Sequence, residues 1–330
     1  MNVEFHYYLL NFISRKAGFT EQEAHIVAYA SQFVDNNILT YEVDTASATY
    51  RTVPTQNWGF WSVDTPRDVY IPFHFFPGDP DHREAVRVDG RRNPLNCTPD
   101  SPGAKQLLIA ALKSRDLYRI GIALHTYADT WAHQNFTGIR EEWNVCDERS
   151  LIPPIGHAQV LNSPDQLTAQ WSDPRLQPER QMIRNRLRVL AAARKIYKYL
   201  ATYNRRSFDD ADLVVDYLDG MLGTAGSERP MEERILDYMI TEGTPRYERS
   251  EWLTQALATT DLPDDSAIAG YDKLLWLKDE ILHRTRLVPK KSVPAKNGFY
   301  ASHFYRFIEA AKAQLEEARS IFSHELHLVV

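Results

Sequence analysis

His125, Asp129 and His133 recur at i, i+4 and i+8 in the run Leu124-His125-Thr126-Tyr127-Ala128-Asp129-Thr130-Trp131-Ala132-His133. The surrounding stretch, Ile109 to Phe136, has an apolar pattern that predicts one buried helix. At about 100° per residue the three side chains drift only about 80° around the axis, so they share a face. A rise of about 1.5 Å per residue sets the two histidines roughly 12 Å apart along the axis, too far for bonds of about 2 Å to one ion. Two geometries fit. One is a row of two or more cations bridged by Asp129; the other is a polar stripe lining a wet pocket, because His–Asp pairs at i, i+4 also stabilise helices without metal. The apolar neighbours Ile120, Ile122, Ala123, Leu124 and Trp131 make the triplet costly to bury unless something compensates it.

With 43% hydrophobic and 25% charged residues, the 330-residue chain has the composition of an ordinary globular protein and not of a disordered one. No run of 18 apolar residues occurs, so no transmembrane segment is expected. The opening MNVEFHYYLLNFISRKAG lacks a basic n-region and a small-residue cleavage site, which predicts a cytoplasmic protein. Cys97 and Cys146 form neither a CxxC pair nor a disulfide framework, leaving N and O donors for any metal. A net charge of −6 and a pI near 6.0 argue against duplex nucleic acid as a partner.

Residues 2–17 read as a first helix with Phe5, Leu9, Phe12 and Ile13 on one face, His6 near it and Gly18 as its stop. Thr20-Glu21-Gln22-Glu23 is a capping box opening a second helix to about Asp35. A carboxylate at that C-terminus opposes the helix dipole and calls for a positive partner. Helical periodicity then disappears over 39–102, where 40–50 reads as a short hairpin and aromatic residues gather around His74. The rings of Trp58, Phe60, Trp61, Tyr70, Phe73, Phe75 and Phe76 suit either a satellite core or the wall of a pocket for an apolar substrate part. A second irregular excursion, 137–178, carries His157, followed by Ser163 as an N-cap with Pro164 at N1, which makes Asp165 a first-turn acid. Helices are expected over 179–203, 209–221, 230–242, 251–258, 272–283 and 299–323. The first of these is basic, with Arg184, Arg188 and Lys195 on one side, a solvated face or an anchor for an anion. The fold class is therefore all-α, one multi-helix domain over 1–330 with long irregular loops and strands nearly absent. His25, His82, His283, His303, His324 and His327 read as surface or core residues.

His6, Asp35, His74, His125, Asp129, His133 and His157 together supply the N and O donors of zinc sites with three or four protein ligands each. A multi-zinc site of this kind uses water as nucleophile, needs no catalytic Ser or Cys, and implies hydrolysis.

The order of these residues resembles the zinc-dependent phospholipase C and single-strand nuclease superfamily: a His near the N-terminus, an Asp ending the second helix, a loop His, a helical His-xxx-Asp followed by His, and a further loop His. The segment HTYADTWAH is most similar to the metal helix of its phosphatidylinositol-glycan phospholipase D branch, and the chain also resembles a bacterial family that opens with FHYY and contains SQ-x-x-D. The resemblance implies an all-α enzyme with two or three zinc ions. It makes Asp35, His74, His125 and Asp129 ligands of one zinc, gives His133 and His157 to a second and has His6 help a third; Asp35 is also the general base. Two departures stand out: the secreted enzymes use a mature N-terminal residue as ligand, and they carry a His-xxx-Glu pair where this chain has Asp165 as a possible substitute for the acid. The expected function is a zinc-dependent phosphoester hydrolase, phospholipase C-like, acting on a small-molecule or lipid phosphoester. The alternatives are a single-strand nuclease-like phosphodiesterase and a non-catalytic protein held together by its metals.

Overall fold

A computed structural model describes residues 1–57, 65–258 and 291–322, and these are mostly helical, with three small sheets. The N-terminal segment opens as a π-helical turn, Glu4–Leu9, which passes directly into α1 (Leu10–Lys16). Gly18 stops it at φ +100°, a conformation in which an L side chain is strained. The capping box forms as the sequence predicts: Thr20 accepts from the Glu23 amide, and the Glu23 carboxylate accepts from the Thr20 amide at 2.9 Å. This launches α2 (Glu21–Asn36).

The single helix expected over Ile109–Phe136 is two. α4 (Pro102–Ser114), counted after the short α3 (Ile71–Phe73), closes on Arg115 in the left-handed region at φ 57°. Asp116 then caps α5 (Leu117–Ala132) by accepting from the Tyr118 amide at 2.8 Å. A local capping interaction thus interrupts an apolar pattern that runs on across it. α5 ends at Ala132, so His133 is the C-cap and not a member of the helical stripe. α5 lies against α2 with a close approach at Gly121, where an added Cβ would strike the Val27 carbonyl and come 2.7 Å from the Ala30 Cβ.

Strands are more frequent than the all-α reading predicts. The hairpin expected at 40–50 is present as β1 (Tyr41–Asp44) and β2 (Thr49–Arg51), with Val43 opposite Tyr50. A third strand at Lys291–Pro294 pairs parallel with β1 through Val43 and Val293, a long-range partner that no local periodicity announces. β3 (Gln170–Ser172) and β4 (Met182–Arg184) pair through Trp171 and Ile183, which moves the start of the basic helix from 179 to Asn185. The second half continues with α6 (Asn185–Tyr203), α7 (Ala211–Leu222), the small hairpin β5 (Gly223–Thr224) and β6 (Ser227–Glu228), α8 (Met231–Ile240), α9 (Glu251–Ala256) and α10 (His303–Ile321). The helix expected at 272–283 lies outside the described residues, as do Trp58, Phe60, Trp61, His283, His324 and His327.

The apolar core is one continuous cluster drawing on Phe5, Phe12, Val27, Phe33, Ile120, Leu124, Leu200, Trp252 and Phe307, with α5 at its centre. Burying such side chains contributes about 1.5–3 kcal/mol each and fixes α2 and α5 as the frame of the site. Tyr70 and Phe75 join Val69, Phe136 and Ile155 in a satellite core. The irregular excursions are stapled where Arg87 and Arg175 both donate to the Trp143 carbonyl at 3.0 Å and Arg175 grips Asp173. No helix among the described residues is long and apolar enough to cross a membrane.

Candidate metal centre

Four elements aim donors at one volume. The π turn brings His6, the end of α2 brings Asp35, the residue after α3 is His74, and α5 contributes His125 and Asp129. His125 Nε2 lies 3.2 Å from His74 Nδ1, 3.2 Å from Asp129 Oδ2 and 3.6 Å from Asp35 Oδ1, while His74 Nδ1 lies 3.4 Å from Asp129 Oδ2 and 3.8 Å from Asp35 Oδ1. For a tetrahedral ion with bonds of about 2.0–2.1 Å, ligand atoms stand about 3.3 Å from one another. These separations have the size of coordination edges. His6 Nε2 lies 3.1 Å from the other Asp129 oxygen, Oδ1, and its ring stacks on His125 at 3.9 Å. Beyond α5, His133 Nε2 and His157 Nε2 meet the two oxygens of Asp165 at 3.0 Å and 3.4 Å. Three donor groups result: Asp35, His74 and His125; His6, His125 and Asp129; His133, His157 and Asp165.

The outer nitrogens of the histidines decide what the inner ones can be. His74 Nε2 faces the Thr55 carbonyl at 2.9 Å, His133 Nδ1 the His74 carbonyl at 2.9 Å, and His157 Nδ1 the Leu161 carbonyl at 2.7 Å. A carbonyl only accepts, so each of these nitrogens carries a proton and each ring turns its other nitrogen inward. The inward nitrogens of His74, His133 and His157 thus converge with the carboxylates of Asp35, Asp129 and Asp165, and the Met1 amino group is the donor that reaches Asp129 and Asp165. Buried carboxylates grouped in this way call for positive charge among them. His6 has its outer nitrogen 3.5 Å from Ser31 Oγ, whereas His125 Nδ1 has no partner among the described residues. Asp35 is steadied from behind by Gln32, whose amide Nε2 lies 3.4 Å from Asp35 Oδ2 and 3.4 Å from Asn36 Oδ1.

The electrostatics match. Burial pulls the Asp165 carboxyl upward but His157 and the Met1 amino group hold it far below the usual carboxylate range. Asp129 is likewise held well below it, burial being outweighed by His133, the Met1 amino group and His125. Burial dominates at Asp35, which is raised, and at His6 and His157, which are lowered. His133 is raised because Asp129 and Asp165 outweigh burial. The Met1 amino group is buried against Asp129 and lies 3.2 Å from Asp165; burial lowers its pKa, yet these carboxylates bring it up to about 10. In this arrangement it acts as the cation among the carboxylates.

The groups sit at the floor of a cleft of about 710 Å³. Asp35, His74, Asp129, His133, His157 and Asp165 line it, whereas His6 and His125 are fully enclosed behind them. All seven candidate ligands drawn from the sequence thus come together. Two expectations change. His133 pairs with Asp165 from a position past the end of α5, and the N-cap of the turn that carries Asp165 is Asn162 and not Ser163; Asp165 is the first-turn acid expected, of a single 3₁₀ turn, and its carboxylate also faces His133 and His157. Sequence reasoning missed the supports. Asn185 donates its amide to the Ser163 and Gln166 carbonyls at 2.6 and 2.7 Å, clamping the loop that carries Asp165. Thr55, fastened by its hydroxyl to the Val34 carbonyl at 2.7 Å, presents its own carbonyl to His74. Glu4 accepts both guanidinium bonds of Arg234 at 2.6 Å and ties the π turn to α8. An Asn heading a helix and an acid two residues before a histidine were the faint signals for two of them.

No curated protein and no solved structure matches the chain. A family model described as a family of unknown function, DUF6765, matches residues 1–321, and the chain belongs to that family.

Proposed function

We propose that this cleft binds two or three divalent cations, zinc being suited to its imidazole and carboxylate donors, and that the protein hydrolyses a phosphoester in the manner of the phospholipase C and single-strand nuclease enzymes that its motifs resemble. The observation that supports the reading is the convergence of imidazole nitrogens and carboxylates in three donor groups, with main-chain carbonyls behind His74, His133 and His157 that turn one nitrogen of each ring inward. Cations bound there would polarise a phosphoryl oxygen and lower the pKa of water.

The residues divide the work by depth. Asp129 has side-chain exposure of 1% and offers its two oxygens to different groups, Oδ2 to His125 and His74 and Oδ1 to His6, so it would be the ligand shared between neighbouring cations. Asp35 and Asp165 are 24% and 18% exposed and face the cleft. Asp35, at the end of α2, is the carboxylate placed to take a proton from an attacking water. Phe75 stacks on His133 at 4.6 Å and shields the second group from bulk solvent.

The walls favour a substrate with an apolar part over a polynucleotide. Val3, Tyr70, Phe75, Ile155, Leu167 and Met231 line the cleft, and its two arginines are engaged: Arg234 with Glu4, Arg229 with Asp237. A strand of nucleic acid brings a phosphate per nucleotide and needs unengaged cations along its path. The enclosure of His6, His125 and Asp129 supports a second reading for that group, a metal that holds the fold and does no chemistry.

The test is elemental analysis of the purified protein, followed by hydrolysis of bis(p-nitrophenyl) phosphate, a short-chain phospholipid and a single-stranded oligonucleotide before and after chelation. Two or more zinc ions per chain with chelator-sensitive hydrolysis is the expected result. Zinc-loaded protein inactive on all three leaves the structural reading in place; protein without bound metal overturns both.

A further inference from the structure

A second concavity lies between the C-terminal ends of α4 and α6, away from the donor groups. It is a groove of about 1050 Å³ lined by Lys113, Arg115, Lys195, Lys198 and Arg205 above an apolar bed that includes Tyr199 and Phe208, with no carboxylate among its lining residues. In a chain of net charge −6 this is a marked segregation of positive charge. Among the described residues Lys113, Arg115 and Arg205 have no ion-pair partner. Lys198 Nζ sits 5.5 Å above the Phe208 ring, and Lys195 alone meets an acid, Asp100 at 2.8 Å. The dipoles of the two helices favour cations at their C-termini, which accounts for Lys113, Arg115 and Arg205. Lys195 and Lys198 lie one to two turns inside α6, where that explanation weakens.

The backbone gives an independent indication. Only five non-glycine residues among those described have positive φ, and three belong to this region: Arg115 at 57°, Arg205 at 55° and Asp100 at 53°. A helix that ends in the left-handed region does so most cheaply with glycine or asparagine. Here two helices, α4 and α6, both place arginine there and carry both guanidinium groups to the same groove. Strain retained at a surface where a cheaper residue would serve is a reason to look for function.

We propose that this groove is a binding site for a phosphorylated ligand with an apolar or aromatic portion, its phosphates held by Lys113, Arg115, Lys198 and Arg205 and its apolar part resting on Tyr199 and Phe208. Guanidinium and ammonium groups without acid partners suit phosphate, and aromatic faces suit a base or acyl chain. The site is connected to the centre. Tyr199 meets Tyr127 of α5 edge-on at 5.8 Å, and Tyr127 donates to Asp100 at 2.6 Å, the same carboxylate that holds Lys195.

The test uses the full chain with its native metal content. ADP and inorganic pyrophosphate are titrated calorimetrically, and sedimentation is measured with vesicles of phosphatidylglycerol, in the wild type and in Lys198→Glu/Arg205→Glu. The inference expects ADP or the anionic vesicles to bind and the double variant to weaken that binding at least tenfold. ADP binding identifies a free nucleotide-like ligand; vesicle binding alone identifies a lipid headgroup. Arg115→Gly and Arg205→Gly supply the control for folding. Each relieves a left-handed arginine and should raise the melting temperature, while each weakens binding. Absence of binding to ADP, pyrophosphate and vesicles at low salt overturns the proposal, and so does binding that the charge reversals leave unchanged, since that places the anion at the metal centre.

Discussion

Asp165 Oδ1 lies 3.0 Å from His133 Nε2, although the two residues are separated by 32 positions and neither belongs to a long helix. The same carboxylate reaches His157 Nε2 at 3.4 Å, so one loop acid completes a donor group whose histidines come from the end of α5 and from a separate loop. The centre is therefore composite: its first group is framed by α2 and α5, its second by irregular chain.

That division predicts separable losses. Asp165→Ala should remove one zinc ion and leave the Asp35, His74 and His125 group loaded. Asp129→Ala should remove at least one and lower the melting temperature more, because its two oxygens serve different groups and metal binding is linked to folding. Elemental analysis with thermal melts, before and after chelation, checks both; equal metal content in wild type and Asp129→Ala would refute the bridging role.

Asn185 is the support for the loop group. Asn185→Leu leaves the Ser163 and Gln166 carbonyls without their buried donor, which should destabilise the protein by about 1–3 kcal/mol and lower the occupancy of the Asp165 group alone. Chemical denaturation gives the first quantity, and zinc stoichiometry at limiting metal gives the second.

The ion pair of Glu4 and Arg234 spans 230 residues with both side chains buried. Arg234→Met strands a buried carboxylate and should cost about 3–5 kcal/mol, whereas Glu4→Leu/Arg234→Met should recover much of the loss. A double-mutant cycle by urea unfolding measures the coupling; additive effects would show that the pair is not an energetic unit.

Acid stability offers a prediction away from the centre. Burial would raise Asp89, but the Arg91 amide and the guanidinium groups of Arg91 and Arg87 bring it from 3.8 down to about 2. A carboxyl whose folded pKa is depressed contributes stability that is full above its unfolded value and is lost as pH falls through the folded one. The contribution of Asp89 should accordingly fade between about pH 4 and pH 2. Asp89→Asn should be less stable than wild type at neutral pH, with the difference closing across that window in pH-dependent melts.

The sequence by itself determined the helices with strong periodicity or caps. Thr20 and Glu23 start α2 through a local reciprocal hydrogen bond, Gly18 ends the segment before it, and both signals are complete within a few residues. It also determined the donor types, since a row of His and Asp on apolar stretches is costly without a compensating charge, and all seven residues so chosen converge. What spacing alone could not determine was grouping. Asp165 reads locally as an ordinary turn acid, and its place beside His133 depends on a clamp from Asn185 and on the packing of loops through Arg87, Arg175 and Trp143. The break at Arg115 and Asp116 was hidden because the apolar pattern continues across it while a side-chain cap decides the backbone. The parallel strand at 291–294 was hidden because its partner lies some 250 residues away. Tertiary structure decided the grouping of the donors and the parallel strand because both depend on contacts between segments distant in sequence, whereas the break at Arg115 is set by a local cap that competes with hydrophobic periodicity.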